Sequence, residues 1–229
     1  FMTLTYHPSW GDMLDKAKDS DYFRQTFAIL SQQDVLPADQ SLWFKPLQVD
    51  LTKIKVVILG DEPISMNGSS NGLAWGIHPN SPVPNATKGI YREMRRTIAI
   101  DRESFDRTMH SLFLQNVLLL NTSPTVEKSK PGSHQDLWRR FTSNLILRIS
   151  ERATLGEPIH WFIWGKYAKN MVQSIVDHEV IPNSSYENIN AMNPNIVFMA
   201  GHPEADMIQE NREFLGCNHF HILRNLIHI

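Results

Sequence analysis

The sequence predicts an α/β protein: a single domain over residues 1–229, with three α/β/α layers around a central four-stranded, mainly parallel sheet. Two observations carry this expectation. Four short runs, Lys55–Leu59, Val117–Leu120, His160–Trp164 and Asn195–Ala200, are apolar rather than alternating. That is the pattern of strands buried on both faces by helices. Between them lie stretches with helical periodicity. Ala86–Ile100 repeats Ile90, Met94 and Ile98; Gln135–Arg152 repeats Leu137, Phe141, Leu145 and Ile149; Ala168–His178 is a third. Strands alternating with helices, unbroken by a linker or a low-complexity segment, give a doubly wound order.

Composition bounds the functions available. Of 229 residues, 41% are apolar and 20% charged, as in an ordinary globular domain. The formal net charge of −2 excludes a global basic field, so any nucleic-acid contact must rest on a local site. The single cysteine, Cys217, excludes an internal disulfide and suits a reducing compartment. No apolar run approaches the roughly 20 residues of a membrane span, and the first residues lack the pattern of a signal peptide. The expectation is an intracellular monomer, in the cytoplasm or nucleus of a cell or infected host, with no membrane partner.

In a doubly wound sheet, ligands bind beyond the carboxyl ends of the strands. Each predicted strand here ends in an unusual polar segment. Gly60-Asp61-Glu62-Pro63 follows the first, Asn121-Thr-Ser-Pro124 the second, Trp164-Gly-Lys-Tyr167 the third and Gly201-His-Pro-Glu204 the fourth. A single Gly- or Pro-containing ending merely stops a strand. Four of them converging on one edge predict a functional crevice formed by Gly60–Ser65, Asn121–Thr125, Gly165–Tyr167 and Gly201–Met207.

These segments, in this order, resemble the family-1 uracil-DNA glycosylases. Lys55-Val-Val-Ile-Leu-Gly60 is similar to the strand leading into that family's Gly-Gln-Asp-Pro-Tyr-His water-activating loop. Asn71-Gly-Leu-Ala-Trp75 resembles the segment carrying its uracil-stacking Phe. Val117-Leu-Leu-Leu-Asn121, with Thr125-Val126 and Ser133-His134, resembles the strand bearing its uracil-reading Asn. Trp164-Gly-Lys-Tyr-Ala168 matches a further block, Gly201-His-Pro203 looks like the start of the His-Pro-Ser-Pro-Leu loop, and Phe214–Phe220 matches the segment after it. The resemblance runs from about Ser41 to Leu226.

The resemblance implies a metal-free, cofactor-free hydrolysis of the bond between a base and deoxyribose, with DNA as partner. A base is flipped out of the stack, at a cost of a few kcal/mol. A carboxylate then stabilises the sugar cation and orients water, while a neutral His donates to the departing base. By position, Glu62 is that carboxylate and His202 that imidazole. Asn121 reads the base edge, Trp75 stacks on it, and Asp61 and Ile64 complete the base pocket. The DNA-facing positions are Ser65, Pro84, Ala86, Lys166, Glu204, Asp206 and Met207.

This sequence departs from the family pattern at the active edge. Glu62 replaces Asp, Asp61 replaces Gln, Ile64 replaces the Tyr that blocks a 5-methyl group, and Ser65 replaces His. The proline-rich loop, Ser81–Ala86, is shorter, and Ala86 falls at a phosphate-binding Ser. Glu204 falls at a second phosphate-binding Ser and Asp206 at the Leu that wedges into the stack, with Met207 beside it as a substitute. An acidic side chain repels phosphate. Together with Glu127, the acids at 61, 204 and 206 would form an acidic rim. Two readings therefore stay open. One is a glycosylase acting on uracil or a related 5-substituted pyrimidine. The other is a catalytically weak relative that serves as a DNA- or protein-binding accessory module, with a replication factor or a glycosylase inhibitor as partner.

Two further motifs are set aside. Gly68-Ser-Ser-Asn-Gly72 fits a hydrolase nucleophile elbow around Ser70, but it lies well past the strand that such an elbow must follow. Cys217-x-His219-x-His221 lacks the fourth ligand of a tight zinc site, so no metal is expected.

Overall fold

A computed structural model describes residues 5–65, 68–182, 192–208 and 213–229. The chain opens with α1 (Gly11–Lys18) and α2 (Asp21–Leu30), the latter capped by Ser20, whose Oγ accepts the Phe23 N–H at 3.2 Å. Then follow β1 (Val35–Leu36), β2 (Val56–Gly60), α3 (Asn85–Ile98), α4 (His110–Phe113), β3 (Leu118–Asn121), β4 (Val126–Glu127) and α5 (Gln135–Ser150). The second half adds β5 (Ile159–Trp164), α6 (Lys166–Ile175), β6 (Glu179–Val180), β7 (Asn195–Ala200), α7 (Ala205–Ile208) and α8 (His219–Leu223). The four expected strands and three expected helices all form, with ends within three residues of their sequence limits.

The central sheet has the order β3-β2-β5-β7-β6, and every neighbouring pair is parallel. Its strand count is five, not four. The additional strand, β6, is a two-residue edge whose Glu179 and exposed Val180 carry no apolar run. A separate two-stranded ribbon pairs β1 with β4 antiparallel.

Strand residues alternate between two cores, as the period of two requires. Val57, Leu59, Leu118, Leu120, Trp161 and Ile163 face the layer of α1, α2, α5 and α6. Val56, Ile58, Leu119, Phe162, Trp164 and Phe198 face the layer of α3, α4 and α8. Gly60 and Asn121 lie in register with each other, one pleat beyond Ile58 and Leu119. They therefore open onto the α3–α8 side.

The loop after β7 is held against α3 by backbone contact. A Cβ at Gly89 would stand 2.0 Å from the Pro203 carbonyl oxygen, so only glycine allows the helix and loop to meet there. Gly89→Ala is predicted to destabilise the fold by about 2 kcal/mol. Thermal unfolding should show this as a fall in Tm of roughly 6 °C.

Candidate active site

The crevice is built on Gly60. A Cβ there would meet Asn121 Oδ1 at 2.7 Å and Trp75 Cε2 at 2.9 Å, so two side chains from distant segments occupy the space that a side chain would fill. Asn121 is brought by β3. Trp75 sits on a loop fastened by the Ala74 N–H to the Leu119 carbonyl at 3.1 Å, with Trp75 itself in the left-handed region at φ 65°. Asn71 organises that loop. Its Oδ1 accepts the Leu73 N–H and its Nδ2 donates to the Thr108 carbonyl at 2.9 Å.

The Asp61–Glu62 pair is clamped from three sides. The Asp61 carbonyl accepts hydrogen bonds from Thr122 Oγ1 at 2.6 Å, Gln135 Nε2 at 2.7 Å and the Ser123 N–H at 3.0 Å. The two adjacent carboxylates then diverge. Asp61 is buried and accepts the Ala168 N–H at 2.8 Å, placing its charge at the N-terminus of α6, where the helix dipole favours an anion. Glu62 Oε2 accepts the Gly132 N–H at 2.8 Å. Burial pushes both carboxyls above their usual range. The amides of the first turn of α6 oppose this at Asp61, while at Glu62 the Gly132 amide opposes it and the neighbouring Asp61 charge adds to it.

His202 completes the inner pocket. Its ring packs edge-on against Trp75, with centroids 4.9 Å apart. Burial lowers its pKa to about 4, so the imidazole is neutral near pH 7. Nδ1 accepts the Glu204 N–H at 3.2 Å, which leaves the ring proton on Nε2. The result is a neutral imidazole with one N–H available to a ligand.

A second buried chain of hydrogen bonds fixes the tautomer of His134, a residue quoted above only as part of a matching segment. Trp138 Nε1 donates to Thr125 Oγ1 at 2.6 Å, so the Thr125 hydroxyl donates to His134 Nδ1 at 2.8 Å and His134 Nε2 donates to Gln33 Oε1 at 2.9 Å. This ties the turn after β3 to α5 and to the end of α2.

The rim differs from its expected form. Asp206 is 6% exposed, and its carboxylate accepts the N–H groups of Glu213, Phe214 and Leu215. It closes a turn and does not face phosphate. Ala86 and Pro84 are buried at the start of α3. Asp61 is turned into α6 and not toward a base. Glu127 is paired with Lys130 at 2.6 Å. Of the four acids expected to make an acidic rim, two are therefore buried helix or turn anions and one is neutralised. Glu204 and Ile64 are half-buried, while Ser65 and Lys166 are exposed. Met207 lies toward α3, with its Sδ 3.4 Å from Arg92 Nη1, whereas the next residue, Ile208, is 66% exposed.

The motifs set aside are otherwise engaged. Ser70 is buried in a bridge to Ile77, and its Oγ accepts the Gly72 N–H. Cys217 Sγ donates to buried Glu93, and His219 Nδ1 accepts the Trp164 indole N–H at 2.8 Å.

No family model matches the chain. Curated uracil-DNA glycosylases of Francisella tularensis, from subspecies novicida and tularensis, are each 29% identical to it, over 93% of this chain and 90% of theirs. Mimivirus uracil-DNA glycosylase has the same fold, with a TM-score of 0.68 at 23% identity over 86% of this chain and 69% of that one. The UNG of Nitratifractor salsuginis aligns with a TM-score of 0.57 at 15% identity, over 90% and 88%. This chain belongs to the uracil-DNA glycosylase family.

Set within that family, the site combines inherited and altered parts. Asn121 and His202 occupy the family's reading and anion-stabilising positions and converge through Trp75. Asp61 and Asp206 introduce carboxylates where the glycosylase pattern has Gln and Leu, yet both are absorbed by backbone amides. Sequence reasoning did not single out Gln135, Asn71 or Ile208. A polar residue near a helix start or in a loop carries no local mark of what it clamps, and the exposure of Ile208 depends on how α7 turns. Asp61→Ala is predicted to lower stability by about 1–2 kcal/mol, since it removes the anion at the α6 terminus. Thermal unfolding should register roughly a 4 °C loss.

Proposed function

We propose that this chain flips uracil, or a related 5-substituted pyrimidine, out of DNA and hydrolyses its N-glycosidic bond, the entry step of base excision repair. The whole chain acts as one glycosylase domain. The observation that carries the reading is the meeting, at the carboxyl ends of the parallel strands, of an Asn with an unpaired buried Oδ1, a neutral His with its proton on Nε2 and a fixed carboxylate.

In this reading Asn121 accepts the base N–H, and His202 Nε2–H donates to a base oxygen as negative charge develops there. A neutral donor suits that role because it stabilises charge without first binding the base as an ion pair. Glu62, one methylene longer than the family's Asp, reaches the sugar side. Its hydrogen bond from the Gly132 amide fixes the longer side chain in one direction. Ile64 in place of Tyr removes the ring that excludes a 5-substituent. Ser65 and Lys166 contact the DNA backbone, and Ile208 is better placed than Met207 to enter the stack. Mimivirus UNG variants have been solved in complex with UGI. An inhibitor protein of that kind is the protein partner proposed for the same surface.

Incubation with DNA carrying uracil, thymine mismatches or 5-hydroxymethyluracil, followed by alkaline cleavage of abasic sites, tests the activity. Release of uracil is expected, and His202→Ala should reduce its rate by about 100-fold or more. Failure of every substrate at high enzyme concentration would overturn the proposal.

The pH profile follows from the two pKa shifts. Activity needs Glu62 ionised, and its pKa is raised above 4.5. His202 is already neutral above about 4. The acid limb of kcat/KM should therefore lie above pH 4.5 and belong to Glu62, so Glu62→Gln should lose both the limb and most of the rate. A limb at the usual His value would contradict this. Ile208→Ala should lower excision from duplex about tenfold more than from single strands, because only the duplex must be opened before the base can flip.

A further inference from the structure

Two buried polar atoms at the head of the sheet make no hydrogen bond within the protein: Asn121 Oδ1 and Trp75 Nε1. Buried polar groups are rarely left unpaired, and each such case calls for a reason. These two share a location. The position of a Gly60 Cβ lies 2.7 Å from Asn121 Oδ1 and 2.9 Å from Trp75 Cε2, the carbon to which Nε1 is bonded; the next ring carbon, Cζ2, is 3.0 Å away. The indole therefore brings the edge bearing its N–H to the same glycine that Asn121 overlies.

An amide oxygen only accepts a hydrogen bond and an indole nitrogen only donates one. The two do not bond to each other, although they stand over one α-carbon. His202, whose proton is on Nε2, packs against the same indole at 4.9 Å. An acceptor and a donor side by side, both desolvated, complement a ligand edge on which an N–H adjoins a carbonyl.

We propose that Trp75 is a hydrogen-bonding reader of the flipped base, donating its indole N–H to a ring carbonyl while Asn121 Oδ1 accepts the adjacent N–H. This deepens the glycosylase reading and rests on it for the identity of the base. It replaces the stacking role that the resemblance implies for position 75. A stacking ring must offer its face, and an N–H in the ring plane would then point away from the base. The indole edge at Gly60 fits reading, and its φ of 65° is a conformation that a bulky residue adopts only when its surroundings impose it.

Trp75→Phe separates the two roles, because phenylalanine keeps an aromatic face and loses only the N–H. If Trp75 reads the base, excision of uracil should fall about tenfold, as for loss of one buried hydrogen bond. If it stacks, the variant should match or exceed the wild type, and the proposal falls. A second measurement needs neither turnover nor the variant. The wild-type protein, labelled with 15N in its tryptophans, is titrated with free uracil to its solubility limit. The indole proton of Trp75, assigned through its neighbours Gly60 and Asn121, should move downfield, and 3-methyluracil, which lacks the N–H for Asn121, should leave it in place. An upfield or absent shift with uracil would overturn the assignment. Should the wild type release no base from DNA while the downfield shift persists, the catalytic reading fails and the pocket assignment stands.

Discussion

The site depends on the absence of a side chain at Gly60. β2 ends there in register with Asn121 of β3, and both residues face the α3–α8 layer because each is one pleat beyond a core residue of that face. Any β-carbon at residue 60 would collide with Asn121 Oδ1 and with the Trp75 ring. With none present, the two side chains close over the strand end and Trp75 supplies the surface on which His202 rests. Three segments separated by tens of residues thus meet at one backbone position.

Around that floor the electrostatics are sorted by burial and by backbone amides. Adjacent Asp61 and Glu62 would repel if they pointed the same way. One carboxylate is instead directed into the N-terminus of α6 and the other toward Gly132, while the Asp61 carbonyl takes three donors that hold the turn still. His202 remains neutral because desolvation penalises its charged form, and its tautomer is set by a single backbone N–H two residues on. The same device recurs at Asp206, whose carboxylate is consumed by three consecutive amides. Carboxylates that look hostile to DNA in the sequence are in large part internal caps.

A good share of this was legible from residue order. The apolar runs and helical stripes located the four main strands and three helices, since burial on both faces leaves a strong local pattern. The polar strand endings pointed to the correct edge, because parallel strands must all end on one side. The two-residue strand β6 left no such pattern. Nor did the clamps made by Gln135 and Asn71, because a hydrogen bond across 74 positions in the chain has no local counterpart.

The sequence by itself determined the architecture, the edge that carries the site and the residue types gathered there, through hydrophobic period and the order of the motifs. Only the tertiary structure decided where those side chains point. It turned Asp61 and Asp206 inward, exposed Ile208 in place of Met207, and set the indole of Trp75 edge-on beside Asn121. Direction at a strand end depends on backbone dihedrals and on partners brought from elsewhere in the chain, and neither is encoded in the spacing of residues along it.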